Sequence, residues 1–202
     1  MYFSVADKSY SLSAPFELPG RSLAQTLAIN IKLTDRDGYV GRGEGICDQT
    51  GSLGVENTLA LLKSVQKAVE AGASRLDIQD LLPPGPARNA LDCAYWELEA
   101  RRAHQTVWEL LGMQPRRLTT SYTIGASDPA AMAERAREAT EFKRLKLIMD
   151  GSQVADRVSA VHAARPDAEI ILDFKGSWSA SELISQAESL ERLKVVLIEQ
   201  PV

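Results

Sequence analysis

Two acidic residues carry the first chemical signal in this sequence: Asp173 in IILDFKGSW and Glu199 in VVLIEQP, each closing a short apolar run of β-forming residues. The stretch between them, Ala180 to Glu191, has helical spacing, so the segment reads as strand, helix, strand with the two strands parallel. Each carboxylate then stands at the C-terminal end of its strand. Adjacent strands lie about 4.8 Å apart, close enough for two such carboxylates to share one hard divalent cation that prefers oxygen ligands. Two carboxylates are usually too few to hold Mg²⁺ without a third ligand or a substrate. The chain stops soon afterwards, at Val202, so the site reads as half of a larger one.

The elements that must position these groups alternate from Leu118 onward. Strands TSYTIG (120–125), RLKLIM (144–149), IILDF (170–174) and VVLIEQ (195–200) are separated by helices at Pro129 to Glu141, Val154 to Ala164 and Ala180 to Glu191. Crossovers of this βαβ type are expected to be right-handed. Upstream the pattern differs. Tyr2 to Leu12, Gln25 to Leu33 and Tyr39 to Glu44 read as strands, the last two joined by the hairpin signal Asp35-Arg36-Asp37-Gly38. Helical spacing follows at Val55 to Ala71, Ala87 to Arg102 and Val107 to Leu111, with Pro83-Pro84-Gly85-Pro86 breaking the chain before the second helix and Gly112 and Pro115 closing the third. The expected division is therefore an α+β domain over 1–115 and a half barrel of parallel strands over 116–202.

Composition narrows the class of function. With 202 residues, 45% hydrophobic and 25% charged, the chain is ordinary globular material, and its net charge of −4 leaves no basic footprint for nucleic acid. No apolar run of membrane-spanning length and no basic-then-apolar leader pattern appear, so neither a membrane span nor a secretory signal is expected. Cys47 and Cys93 lack ligand-like spacing, which fits a reducing cytoplasm. His104 and His162 sit in charged helical surroundings and are expected at the surface, whereas Trp96 and Trp108 fall at helical core spacing. Gly41-Arg42-Gly43-Glu44-Gly45 is glycine-dense, but no helix N-terminus follows where a phosphate loop needs one.

The segment ARNALDCAYWELEARRAHQTVWELLG (87–112), the TSYTIG and RLKLIM strands, the LDFKGSW turn and the closing IEQP together resemble the enolase superfamily, and within it the dipeptide epimerase, muconate-lactonizing-enzyme-like branch. The likeness runs in order through essentially the whole chain. It implies an N-terminal capping domain followed by a (β/α)8-type barrel, here represented by strands one to four. It also implies Mg²⁺ held at the ends of the third, fourth and fifth strands, with Asp173 and Glu199 in the first two ligand positions. Catalytic lysines are implied on the second and sixth strands. Lys146 matches the auxiliary lysine of the family's Lys-x-Lys, Ile148 stands where the base belongs, and Thr123 on the first strand falls among substrate-binding positions. Loops near Pro15 to Leu23 and Ile46 to Val55 would cover the substrate.

Two departures bear on activity. Isoleucine cannot accept a proton, so the base at 148 is lost; and Phe174-Lys175 replaces the family's Ala-Asn, placing a cation beside the presumed metal, which like-charge repulsion disfavours. Mg²⁺ binding is expected to be weak or absent. Asp173 and Glu199 fit a residual cation site and a purely electrostatic pairing with Lys146 or Lys175 equally well. The resemblance thus implies a Mg²⁺-dependent epimerase acting at the α-carbon of a dipeptide such as Ala-Glu or of an N-acylamino acid, in a chain expected to be inactive alone. The alternatives are a non-catalytic relic and a half-barrel interaction protein completed by another chain. Four parallel strands leave TSYTIG and VVLIEQ as free edges, so a homo-oligomer or a complementing C-terminal half is expected.

Overall fold

The computed structural model describes residues 1–48 and 53–202. The chain forms two compact units, one of Met1–Ser13 with Gln25–Arg116 and one of Ala14–Ala24 with Arg117–Val202.

Strands β1 (Tyr2–Leu18), β2 (Arg21–Thr34) and β3 (Val40–Cys47) form a sheet in the order β1-β2-β3, which apart from residues 14–24 belongs to the first unit. The turn into β3 is the one read from Asp35 to Gly38. The Asp35 carboxylate accepts the Asp37 and Tyr39 backbone N–H groups at 3.0 and 2.8 Å, and Gly38 supplies the left-handed φ of 86°. β2 and β3 run antiparallel with Ile29 opposite Gly45, Ile31 opposite Gly43 and Leu33 opposite Gly41. Side chains directly opposite share a face. One face therefore carries a row of buried Ile and Leu beside a row of glycines.

Helices α1 (Val55–Ala71), α2 (Arg75–Leu81), α3 (Pro86–Ala103) and α4 (Val107–Leu110) follow. Leu62, Val65 and Val69 of α1 and Ala90, Leu91, Ala94 and Leu98 of α3 close the core against that face. The glycine run 41–45 is a packing surface: β-carbons on Gly41, Gly43 and Gly45 would come within 2.0, 1.9 and 2.2 Å of the carbonyl oxygens of Ala94, Ala90 and Pro86. α2 is an addition to the expected elements. Seven residues are too few to show a period, but Ser74 and Asp77 form a reciprocal capping box, the signal that marks its start. Trp108 is corrected from core to surface: α4 is a single turn and leaves the ring 47% exposed. Trp96 is half-buried beneath the Arg75 guanidinium, 3.7 Å from the ring centre.

The second unit is a partial barrel: β4 (Tyr122–Ile124), α5 (Pro129–Glu138), β5 (Arg144–Ile148), α6 (Val154–Ala164), β6 (Glu169–Asp173), α7 (Ala180–Arg192) and β7 (Val195–Glu199), with parallel strands in the order β4-β5-β6-β7. Alternation along the strands sends Ile124, Leu145, Leu147, Ile170 and Leu172 into a core with Met132 of α5 and Val158 and Val161 of α6. It sends Thr123, Lys146, Ile148, Ile171 and Asp173 to the opposite, inner face.

α5 stops at Glu138, short of the expected Glu141, because Arg165 takes over the helix end. Its guanidinium donates to the carbonyls of Ala136, Ala139 and Phe142 at 3.4, 2.7 and 3.0 Å. The expected loop over Pro15 to Leu23 is a correction too. β1 continues to Leu18 and β2 starts at Arg21, leaving Pro19-Gly20 as the turn, with Gly20 at φ 73°. This hairpin tip is part of the second unit, where the Glu17 carbonyl accepts the Ala126 N–H at 3.0 Å. Of the expected substrate-covering segment Ile46 to Val55, residues 49–52 lie outside the described residues. Among the described residues, no helix is long and apolar enough to cross a membrane.

Candidate functional site

The pairing of β5, β6 and β7 sets three positions in one row at the strand ends, with Ile148 opposite Asp173 and Asp173 opposite Glu199. One rung deeper, Lys146 lies opposite Thr123 of β4 on the same inner face. The Lys146 ammonium reaches up to that row. Its Nζ lies 2.5 Å from Glu199 Oε2, to which it donates, and 2.8 Å from Asp173 Oδ2. Lys175 Nζ lies 2.8 Å from the same Asp173 oxygen.

Asp173 has no solvent-exposed side-chain surface. Its Oδ2 meets both ammoniums at 2.8 Å, while its Oδ1 accepts the Lys175 backbone N–H at 3.3 Å. That second contact depends on Lys175 adopting φ 52°, a left-handed conformation that lysine takes at some cost. Neighbouring contacts hold the loop in place. Phe174, Gly176 and Trp178 donate backbone N–H groups to the carbonyls of Glu199, Gln200 and Pro201 at 3.1, 2.7 and 2.8 Å, and the Phe174 and Trp178 rings stack 4.0 Å apart.

Electrostatics set the protonation states. Burial pulls Lys146 down, but its hydrogen bonds to Asp173 and Glu199 more than offset this and hold it above the ordinary lysine value. Burial likewise pushes Asp173 up, and the hydrogen bonds and charges of Lys146 and Lys175 bring it below the ordinary carboxylate range. At neutral pH, Lys146 is a charged ammonium with no lone pair to accept a proton. Ile148, only 3% exposed, offers none either.

The next loop along the strand ends is fixed by a pair that sequence reasoning missed. Asp150 accepts from Arg157 Nη1 at 2.5 Å and from the Ser152 N–H at 2.9 Å, and the Arg157 hydrogen bond holds its carboxyl at about 2. A carboxyl lowered in the folded state from 3.8 contributes stability that is full above that value and lost as pH falls toward about 2. Asp150→Asn is expected to flatten this acid limb by about 1 kcal/mol, a modest figure because screening water reaches the carboxylate. Urea unfolding at stepped pH measures it, and an unchanged slope between wild type and variant would show that the pair contributes nothing.

The hairpin tip stands where the loop near Pro15 to Leu23 was expected, and within the second unit it meets the end of β4. Gly125, just past β4, lies so close to it that a β-carbon there would be 2.8 Å from the Glu17 carbonyl oxygen. His104 is exposed as expected and meets the Tyr39 hydroxyl at 3.2 Å, whereas His162 is half-buried, its Nδ1 enclosed without a partner.

The residues at the strand ends do not fit a divalent cation as they stand. The Asp173 and Glu199 oxygens that would face such an ion both face the Lys146 ammonium, and Asp173 has a second ammonium beside it. Among the described residues no three His, Cys, Asp or Glu side chains gather as a metal site would require.

Comparison with known proteins agrees with this architecture. Residues 3–112 match the family described as mandelate racemase / muconate lactonizing enzyme, N-terminal domain, and residues 128–202 match that described as enolase C-terminal domain-like. The chain is 33% identical to the L-Ala-D/L-Glu epimerase of Escherichia coli strain K12 over 98% of its own length and 62% of that protein's. It is also similar, at 34% identity over 62% of the chain and 40% of the relative, to an N-acetyl-D-glutamate racemase of Pseudoalteromonas sp.. Among solved structures, an enolase family member from Agrobacterium tumefaciens with homology to dipeptide epimerases, holding sodium and L-Ala-L-Glu, superposes with a TM-score of 0.88 at 29% identity. That match covers 100% of this chain and 62% of that one. The dipeptide epimerase of Enterococcus faecalis V583, complexed with Mg and L-Leu-L-Tyr, shares the fold at a TM-score of 0.87 and 23% identity, over 99% of this chain and 60% of that one.

Proposed function

The chain belongs to the enolase superfamily, with its mandelate racemase / muconate lactonizing enzyme N-terminal domain, and on that premise we propose that it is a dipeptide-epimerase-type protein that does not move the α-proton by itself. Its domains on this reading are a capping domain over 1–115 and barrel strands one to four over 116–202. The observation that carries the reading is the inner face of β5, where the two positions expected to hold lysines hold Lys146, tied to two carboxylates, and Ile148, an aliphatic side chain.

The chemistry makes that combination decisive. An α-proton beside a carboxylate is so weakly acidic that its removal needs both stabilisation of the resulting enediolate and a neutral base of matched pKa. Epimerisation needs a base on each face of the α-carbon. Among the described strands of the barrel the single lysine is Lys146, and its ion pairs keep it charged. Thr123, opposite Lys146, is assigned to the substrate-facing wall. The ligand class on this reading is a small dipeptide or an N-acylamino acid, met in a reducing cytoplasm where Cys47 and Cys93 stay free. Mg²⁺ dependence is a property of the lineage and is weak or absent here.

The chain spans 62% of the E. coli epimerase's length. A second reading, completion by another chain, draws on Val196 and Leu197 of the outer strand β7, which are 52% and 49% exposed. A second copy or a complementing half would pair there.

Incubation with L-Ala-L-Glu or an N-acylamino acid in D₂O with Mg²⁺, followed by proton NMR, tests activity. We expect no loss of the α-proton signal above the protein-free rate, for wild type and for Asp173→Asn alike. Exchange that needs both the protein and the metal would overturn the proposal.

A further inference from the structure

We propose that Lys146 is a built-in cation that bridges Asp173 and Glu199 in place of a divalent ion, so that the strand-end site assembles without metal. The inference rests on placing those two carboxylates at the family's ligand positions. It goes further in naming the group that occupies the space between them.

Three observations carry it. The first is geometric. Lys146 Nζ stands 2.5 Å from Glu199 Oε2 and 2.8 Å from Asp173 Oδ2, so one ammonium spans the gap between neighbouring strands that a shared ion would span. Mg²⁺ would need those same oxygens at about 2.0–2.1 Å, which leaves no room for the nitrogen. The second is charge. Lys146, Lys175, Asp173 and Glu199 sum to zero, and a divalent ion added at the wholly buried Asp173 would leave two uncompensated positive charges in a poorly solvated place. The third separates the two lysines. The Lys175 side chain is 43% exposed and can swing its ammonium into water, whereas that of Lys146 is 21% exposed and rises from the sheet itself between the two carboxylates. Lys146 is therefore the main barrier to a metal and Lys175 a lesser one.

Manganese serves as the probe, with unbound Mn²⁺ read by its electron paramagnetic resonance signal and no substrate present. The wild-type chain is expected to leave that signal unchanged at low millimolar Mn²⁺. Lys146→Gln removes the internal cation and keeps both carboxylates, and should take up one Mn²⁺ at least about tenfold more tightly than wild type. Asp173→Asn in the Lys146→Gln background should abolish the uptake, and Lys175→Asn alone should give a smaller gain. If Lys146→Gln does not fold in metal-free buffer, refolding with and without millimolar Mg²⁺ replaces its titration. Recovery that requires the ion supports the proposal; equal yields overturn it.

One Mn²⁺ bound by wild type at micromolar concentration and lost in Asp173→Asn would overturn it as well, and so would a Lys146→Gln chain that binds no better than wild type. These outcomes are distinct from failure of the functional reading. Metal-dependent proton exchange would refute inactivity, whereas Mn²⁺ capture by the wild-type chain refutes the internal cation and leaves the missing base at Ile148 untouched.

Discussion

Replacing Gly43 with alanine will cost the first unit at least about 3 kcal/mol of stability and most of its soluble yield, far more than one methyl group costs elsewhere. The reason is a match of two repeats. Residues two apart on a strand advance about 6.7 Å, and residues four apart on a helix advance about 6.0 Å, so β3 and α3, running in opposite directions, stay in step for three rungs. Gly41 meets Ala94, Gly43 meets Ala90 and Gly45 meets Pro86. A β-carbon on Gly43 would sit 1.9 Å from the Ala90 carbonyl oxygen and 2.8 Å from the Ala94 nitrogen. Both are backbone atoms, so relief requires moving the helix, which Leu91, Ala94 and Leu98 fix in the core at zero exposure. Arg42→Ala, on the same strand with its side chain 63% exposed, is the control and should shift stability by less than about 0.5 kcal/mol. Urea unfolding followed by circular dichroism decides between them. Equal losses in the two variants would show that the helix yields and the close approach is not required.

That glycine stripe shows where sequence reading reaches its limit. The switch from strand-hairpin periodicity to alternating strands and helices was legible because each element buries one face and its period is written locally. Asp173 and Glu199 were legible for the same reason, being acids at the ends of apolar strands, whereas Lys146 was singled out only through the resemblance to the family's Lys-x-Lys. The purpose of Gly41, Gly43 and Gly45 was not legible, because it lies in the carbonyl groups of a helix far along the chain. Pro15 misled in the other direction. The resemblance implied a loop around it, but β1 is the outer strand of its sheet, where proline is tolerated. α2 was too short for a period to show, and only its capping box marked it, whereas the single turn α4 falls within the helix expected at Val107 to Leu111. The bond from Ala126 to Glu17 within the second unit, made by a segment distant in sequence, has no local signature beyond Gly125.

The second large effect is expected at the strand ends, and it is one of coupling. Asp173→Ala alone should cost about 3 kcal/mol at neutral pH, because it strips a fully buried counter-charge from two ammoniums at once. Lys146→Met alone should cost a similar amount. It leaves Asp173 to the more exposed Lys175 and sets Asp173 and Glu199, register partners on adjacent strands, against each other as like charges. The double variant should recover most of both losses, since removing a buried pair together avoids leaving either member uncompensated and a methionine fills the space with apolar atoms. A coupling of about 2 kcal/mol or more from the double-mutant cycle is the expected result. Additive losses would mean that water or Glu199 already satisfies each charge separately, and that the row from Ile148 to Glu199 is held by its backbone ladder alone. Adding Lys175→Asn to the cycle should change little, because its ammonium already has solvent to turn to. Lys146 has no such outlet, so the ion pairs that keep it charged and unable to act as a base are the same ones expected to hold the ends of β5, β6 and β7 together.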